Sequence, residues 1–206
     1  MKRIFTLTAL LIAFAANNTM AQQDEHTAFT LGDHNVGIYV GTGVRYTTLF
    51  GETAGLVELR GALTFNRRWS VGLMGAALWY DKSLHELVDD GSYRLEMGYG
   101  GLYVERMFPL SSDLILSASV ATGYGVAAYR YDKEYHAEKI WTEETIDQTT
   151  FAFFEPGLAL QWNFSGSFWL GVAASYRNTS PVELLGTSEE VFRKFSGGVT
   201  LTYGIF

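Results

Sequence analysis

Seven charged side chains stand out for the chemistry their spacing allows. Arg45, Glu58, Arg60, Arg94, Glu96, Glu155 and Arg177 fall in stretches that alternate apolar with small or polar residues, and each reads in the small-residue phase. Successive side chains of a strand point to opposite faces. The seven therefore read as one ionised face behind a greasy one. Such a set can line a narrow charged pore or gate, or pair into an ion network that fills an interior. Unpaired buried charge is costly, so the paired network is the stronger expectation.

The rest of the chain offers less chemistry. His26, His34, His85 and His136 lack zinc-ligand spacing. His85 and His136 fall in two separate polar connections, where a lipid-directed hydrolase would place a base with Ser83 or Ser92 as nucleophile, but no motif accompanies them. From Arg130 to Asp147 the chain carries Asp132, Glu134, Glu138, Glu143, Glu144 and Asp147 against Arg130, Lys133 and Lys139. Oxygen ligands suit calcium or magnesium, yet the spacing matches no calcium loop, and a solvated external loop is the simpler reading. Gly41-x-Gly43 and Gly98-x-Gly100-Gly101 sit within strand patterns with no following helix, so they relieve crowding rather than cradle phosphate. Cysteine is absent, which excludes disulfides, thiolate metal sites and an N-terminal lipidated cysteine. The expectation is a chain with no catalytic, cofactor-binding or metal-binding residues and no cofactor.

The elements that hold the seven charges read as strands. Thr149 to Arg177 is the clearest stretch. Ala152, Phe154, Pro156, Leu158, Leu160 and Trp162 alternate with Glu155, Gly157, Ala159, Gln161 and Asn163. A short turn from Asn163 to Ser167 leads to Phe168, Leu170, Val172, Ala174 and Tyr176, alternating with Gly171, Ala173, Ser175 and Arg177. Period two is a strand signature. The same pattern predicts strands over about Val36–Leu49, Val57–Asn66, Trp69–Tyr80, Tyr93–Phe108, Leu114–Arg130 and Val191–Phe206. In the fourth, Leu95, Met97 and Tyr99 read outward, and the apolar phase then slips to Leu102 and Val104, which predicts a bulge at Gly100-Gly101. Residues 22–34 read as a loose lead-in, Gly51–Gly55 as a loop, and Asn178–Glu190 as a polar loop.

Eight strands result, with tight connections after the second, fourth and sixth and mostly longer polar ones elsewhere. Aromatics near strand ends, including Phe65, Trp69, Trp79, Trp162 and Tyr203, read as interfacial girdles. The predicted fold is all-β, an eight-stranded antiparallel up-and-down transmembrane β-barrel, greasy outside and wet within. The competing fold is a soluble lipocalin-like barrel, whose polarity is the reverse. Composition agrees with β structure: 22 glycines, 31 aromatics (12 Tyr, 14 Phe, 5 Trp) and only 3 prolines among 206 residues. Residues 1–21 read as a signal peptide: basic Lys2 and Arg3, an apolar run from Ile4 to Ala16, and Thr19-Met20-Ala21 for cleavage. The barrel domain is then 22–206. The run is too short to span a bilayer as a helix. The formal charge is −7, and loss of Lys2 and Arg3 takes it to −9, which argues against a nucleic-acid partner.

Phe154-Glu155-Pro156-Gly157-Leu158, Trp162-Asn163, Ser175-Tyr176-Arg177, Phe195-Ser196-Gly197-Gly198 and Tyr203-Gly204-Ile205-Phe206 resemble the small Gram-negative outer-membrane β-barrel domain family, porin-like and of unassigned function, as does Gly100-Gly101-Leu102-Tyr103-Val104-Glu105. The resemblance covers much of the chain after residue 21 and implies a barrel without a shared catalytic set. Tyr203 and the terminal Phe206 resemble the signal read by the barrel insertion machinery. They depart from it in that Phe206 lies on the opposite phase from Val199, Leu201, Tyr203 and Ile205.

Three roles follow as expectations. The first is a non-enzymatic integral outer-membrane protein with an envelope-structural or loop-mediated binding role. The second is a narrow channel or transporter with a charged lumen, and the third an outer-membrane lipid-modifying enzyme. Outer-membrane lipid and the insertion machinery are the expected partners. The expected location is the Gram-negative outer membrane with both termini periplasmic.

Overall fold

The computed structural model describes residues 29–31, 34–80, 92–132 and 144–205. The leader, the acidic segment 133–143, His26, Ser83, His85, His136 and Phe206 lie outside the described residues, as do the side chains of His34, Ser92 and Arg94.

Alternation dictates the outcome. The strands are β1 (Phe29–Leu31), β2 (His34–Leu49), β3 (Glu52–Phe65), β4 (Trp69–Trp79), β5 (Ser92–Pro109), β6 (Leu114–Asp132), β7 (Glu144–Ser165), β8 (Phe168–Thr179) and β9 (Lys194–Ile205). Each from β2 onward pairs antiparallel with the next, and β2 pairs back with β9. Eight strands thus close into an up-and-down barrel with no open edge along its body. Closure runs from Ile38↔Ile205 to Thr47↔Ser196. β1 is an addition to the predicted set. Instead of a loose lead-in, Phe29–Leu31 folds back on His34–Val36, on the side of β2 that β9 leaves free.

The exterior is apolar. Leu59, Leu73, Leu102, Leu158, Val172 and Val199 stand exposed around the wall, Leu59 at 66%. Aromatic rings gather at both rims. Trp162, Phe164, Phe168 and Tyr203 form a chain of ring contacts 4.9–6.5 Å apart at the short-turn end. Trp79 and the Tyr176–Phe195 pair lie toward the other end. Exposed hydrocarbon on a closed barrel, bounded by aromatic girdles, fits lipid and not water. The reversed polarity of a soluble ligand-binding barrel is absent.

Three local expectations are corrected. The connection between β2 and β3 is only Phe50-Gly51, both at positive φ, a two-residue hairpin whose twist suits its strands. No bulge occurs at Gly100-Gly101, because β5 holds unbroken register with β6 from Ser92 to Pro109. Gly101 and Gly123 face each other there, and a Cβ on either would run into the partner backbone. The glycines permit close approach of two strands, as the crowding argument requires.

The third correction concerns Ser180–Arg193. The segment is not simply a polar loop. Val182, Leu184, Val191 and Phe192 are buried in one cluster with Leu49, Leu56, Leu95, Met97, Tyr129, Phe151 and Phe153. Phe192 sits 5.4 Å from Phe151, centroid to centroid. The segment is a cap seated in one mouth of the barrel. Full burial of each large apolar side chain is worth about 1.5–3 kcal/mol, enough to hold it in place.

Two stability changes follow from this polarity. Leu73→Arg, in the middle of the exposed band, is expected to destabilise the inserted barrel by about 2–4 kcal/mol, read by reversible urea unfolding in vesicles. Phe192→Ala is expected to cost about 3–5 kcal/mol and to make the cap cleavable by a glutamate-specific protease while the strands stay protected.

Candidate functional site: the ion network in the lumen

Inward positions of β2, β3, β5, β7, β8 and β9 converge on one axis. Three arginines (Arg45, Arg60, Arg177) and three glutamates (Glu58, Glu105, Glu155) are buried there among the described residues, so the core is charge-balanced.

Arg45 is the hub. Its Nη2 lies 2.6 Å from Glu58 Oε2, and its Nη1 lies 2.7 Å from Glu155 Oε1. Nη1 also donates to Ser175 Oγ at 2.8 Å. Ser175 in turn donates to Glu155 Oε1 at 2.7 Å and lies 2.8 Å from Ser196 Oγ. Tyr99 Oη donates to Glu155 Oε2 at 3.0 Å. One guanidinium therefore ties β2 to β3, β7 and β8. The bond to Glu155 is charge-assisted and of the strong kind, the contact with Glu58 is an ion pair, and one guanidinium serves both carboxylates.

A second cluster centres on Glu105. Tyr39 Oη donates to its Oε2 at 2.7 Å and Gln161 Nε2 to its Oε1 at 3.3 Å. Arg60 donates from Nη1 to Tyr103 Oη at 3.1 Å and from Nη2 to Thr202 Oγ1 at 3.3 Å. Its guanidinium lies 5.9 Å from the Tyr39 ring and 5.7 Å from the Tyr103 ring, so two aromatic faces flank the cation. Trp169, inward on β8, is buried as well.

Arg177 links the ions to the cap. Its Nε donates to the Phe192 carbonyl at 3.1 Å and its guanidinium stacks 4.8 Å over Tyr99. Nη1 and Nη2 make no hydrogen bond among the described residues. The capped mouth is pinned further by Leu185 N to Asp147 Oδ2 at 2.9 Å and Arg193 Nε to the Thr179 carbonyl at 2.9 Å.

Of the seven charges read from the sequence, five, Arg45, Glu58, Arg60, Glu155 and Arg177, meet in the lumen. Glu96 does not. It faces outward, 53% exposed, and pairs with Arg130 at 2.9 Å. Because β5 alternates without interruption, its lower half, with Leu102 and Phe108 outward, fixes the phase of its upper half. Leu95, Met97 and Tyr99 therefore point inward, the reverse of the expectation. Arg94 shares the register parity of Glu96 and pairs across from Arg130. Outward charge is tolerable at that height. A spanning strand needs about 9–11 residues, whereas β5 and β6 have 18 and 19, so Glu96 and Arg130 stand in the surplus beyond hydrocarbon.

Glu105, Tyr39, Tyr103 and Gln161 were not among the expected site residues. The phase of Leu102 and Val104 carried the signal for Glu105 and Tyr103, since both are offset from these by one. Tyr203 faces outward, partly exposed at the aromatic rim. No group of three or more metal-ligating side chains occurs among the described residues.

A closed antiparallel barrel with an apolar wall and an ionised, filled lumen defines the class: a transmembrane β-barrel of the outer-membrane architecture. Among solved structures the chain is similar to Ail, the attachment invasion locus protein of Yersinia pestis, at 13% identity and TM-score 0.48, over 82% of this chain and 97% of that one. It is also similar to Neisserial surface protein A, at 9% and 0.44 over 82% and 95%. A third is the N-terminal β-barrel domain of Pseudomonas aeruginosa OprF, at 10% and 0.42 over 82% and 96%. No protein-family profile matches the chain, and no curated protein matches it in sequence.

Removing one partner of the central network should be severe. Arg45→Met leaves Glu58 and Glu155 buried without their cation and is expected to cost about 3–5 kcal/mol. Tyr99→Phe, which deletes one hydrogen bond, is expected to cost about 1.5–3 kcal/mol because its acceptor is charged. Urea titration of the inserted barrel separates the two.

Proposed function

We propose that the chain is an integral outer-membrane protein with a sealed lumen, non-enzymatic, acting as an envelope-structural element or through its exposed loops. The observation that carries this reading is the Arg45–Glu58–Glu155 network lying across the lumen beneath the Ser180–Arg193 cap. Two different obstructions lie in series. One is ionic and charge-balanced among strand side chains; the other is apolar and supplied by a loop. A conducting pore of this size would have to break both.

Residues 1–21 would direct export and be removed, leaving 22–206 as the barrel domain. An even number of barrel strands puts both ends of the barrel on one side, which for an exported chain is the periplasm. The short connections at Asn66–Arg68, Leu110–Asp113 and Gly166-Ser167 then face the periplasm, and the cap faces outward. Insertion would run through the barrel insertion machinery, with Tyr203 and Phe206 as its signal, and outer-membrane lipid is the surrounding partner.

In planar bilayers the protein is expected to give no steady conductance. Deleting the cap alone should leave it silent, because the ionic layer remains. Discrete steps from the wild type that shift on Glu58→Gln would overturn the sealed reading in favour of a narrow channel. Orientation is read separately. With no native cysteine, Ser188→Cys in the cap should react with a membrane-impermeant maleimide on intact cells, and Ser112→Cys should not.

A further inference from the structure

The barrel wall forks at the end away from the short turns. β4 has 11 residues, whereas β5 and β6 have 18 and 19. The β4–β5 ladder ends at Ala77↔Gly98. β4 stays with β3 as far as Gly55↔Trp79, and β5 stays with β6 as far as Ser92↔Asp132. A cavity of about 670 Å³ opens where the two pairs part.

The alternation of the strands furnishes it. Trp79, 70% exposed, borders it from the end of β4. Glu96 on β5 and Arg130 on β6 follow across the wall, 2.9 Å apart. Gln148 borders it from β7, paired in register with Ala128. Two residues from Trp79, Glu96 and Arg130, toward the membrane and on the same face, stand Ala77, Gly98 and Ala128. A row of large side chains thus overhangs a row of small ones, and the space between them is the cavity. Trp79 belongs to the aromatic girdle and Glu96 and Arg130 to the surplus beyond hydrocarbon, so the cavity opens at headgroup height.

The two charges of the pair cancel, so the cavity selects no ion. It offers carboxylate acceptors, guanidinium donors and a carboxamide that does both, all beside an indole. The matching ligand has an edge that donates and accepts and a face that is apolar. A pyranose ring has both. Its hydroxyls suit the polar row, and its C–H face packs on an aromatic ring. The volume falls in the range of small-molecule sites, roughly 300–1,000 Å³.

We propose that the fork between β4 and β5 binds a neutral saccharide, with Trp79 as the stacking platform and Glu96, Arg130 and Gln148 as the hydrogen-bonding row. The sugar is free or is the headgroup of a glycolipid whose acyl chains lie along the wall below. The site is built from strands, so it goes beyond the structural and loop-mediated roles proposed above. It depends neither on the sealed lumen nor on which way the barrel faces.

The test is saturation-transfer NMR on the full barrel in phosphatidylcholine vesicles, with maltose, lactose, cellobiose and N,N′-diacetylchitobiose as probes. At least one sugar should receive transfer from the protein and none from protein-free vesicles. Trp79→Ala should raise its dissociation constant about tenfold, and Trp79→Tyr, which keeps a ring, should recover most of that loss. Glu96→Ala, which removes a charged acceptor, should also raise it about tenfold. Trp162→Ala, on the aromatic rim at the other end, should leave it unchanged. Vesicles carrying digalactosyl diacylglycerol separate the two sources. They suppress transfer to the free sugar if a glycolipid headgroup fills the fork and leave it intact if a free saccharide is the ligand. Heat-modifiable gel migration verifies folding, and the altered side chains at 79 and 96 are both exposed. Transfer to none of the four sugars would overturn the site, as would equal binding by folded Trp79→Ala and Glu96→Ala. Conductance steps would sink the sealed-lumen reading without touching these constants.

Discussion

A wall that faces hydrocarbon leaves ionised side chains within the membrane only one place to go, and the rest of the structure answers to that constraint. Arg45 is where the answer is most concentrated. Taking a guanidinium out of water is expensive, and the expense is offset here by two carboxylates and a serine hydroxyl supplied from three other strands. The same contacts fix the register of strands far apart in sequence. Sliding β7 by one residue past β6 would swing Glu155 into lipid and Leu158 into the lumen.

The lumen is layered, and the layers explain one another. Near one end Glu105 gathers Tyr39 and Gln161, and Arg60 is flanked by tyrosines. Beyond it comes the Arg45 network, then Arg177, then an apolar cup filled by the cap. Arg177 is the hinge between chemistries, one nitrogen bonded to the cap backbone and its plane laid on Tyr99. The cation–π contact replaces part of the hydration that burial removes.

Most of this was legible in the alternation. Where the two faces differ in polarity, as from Ala152 to Arg177, side-chain direction follows directly from the residues. It failed where the lumen itself is greasy. Leu95, Met97 and Tyr99 look like lipid-facing residues because they line the apolar cup under the cap, and the pattern carries no mark of which oil a leucine meets. Glu96 was misplaced along with them. The cap was hidden for a related reason. Val182, Leu184, Val191 and Phe192 are dispersed among Glu183, Glu189 and Glu190, with no period to reveal a buried face. Glu105 was within reach, since continuity of one strand's phase would have turned it inward.

The barrel strands are of very unequal length. β7 has 22 residues where its neighbour β8 has 12, and the two start level at Ser165↔Phe168. Nine residues, 144–152, lie beyond the Phe153↔Thr179 pair, and at about 3.3 Å each, tilted by about 40°, they raise one side of the rim by roughly 23 Å. Along that rise β7 has no strand partner on its β8 side among the described residues, an edge of the kind on which foreign strands can add. The cap runs beside it. Ser180 N donates to the Ala152 carbonyl at 3.0 Å, Ala152 N donates to Ser180 Oγ at 3.1 Å, and Leu185 is tethered to Asp147. The segment that stops the mouth thus also covers the start of that ledge, where a foreign strand would otherwise add.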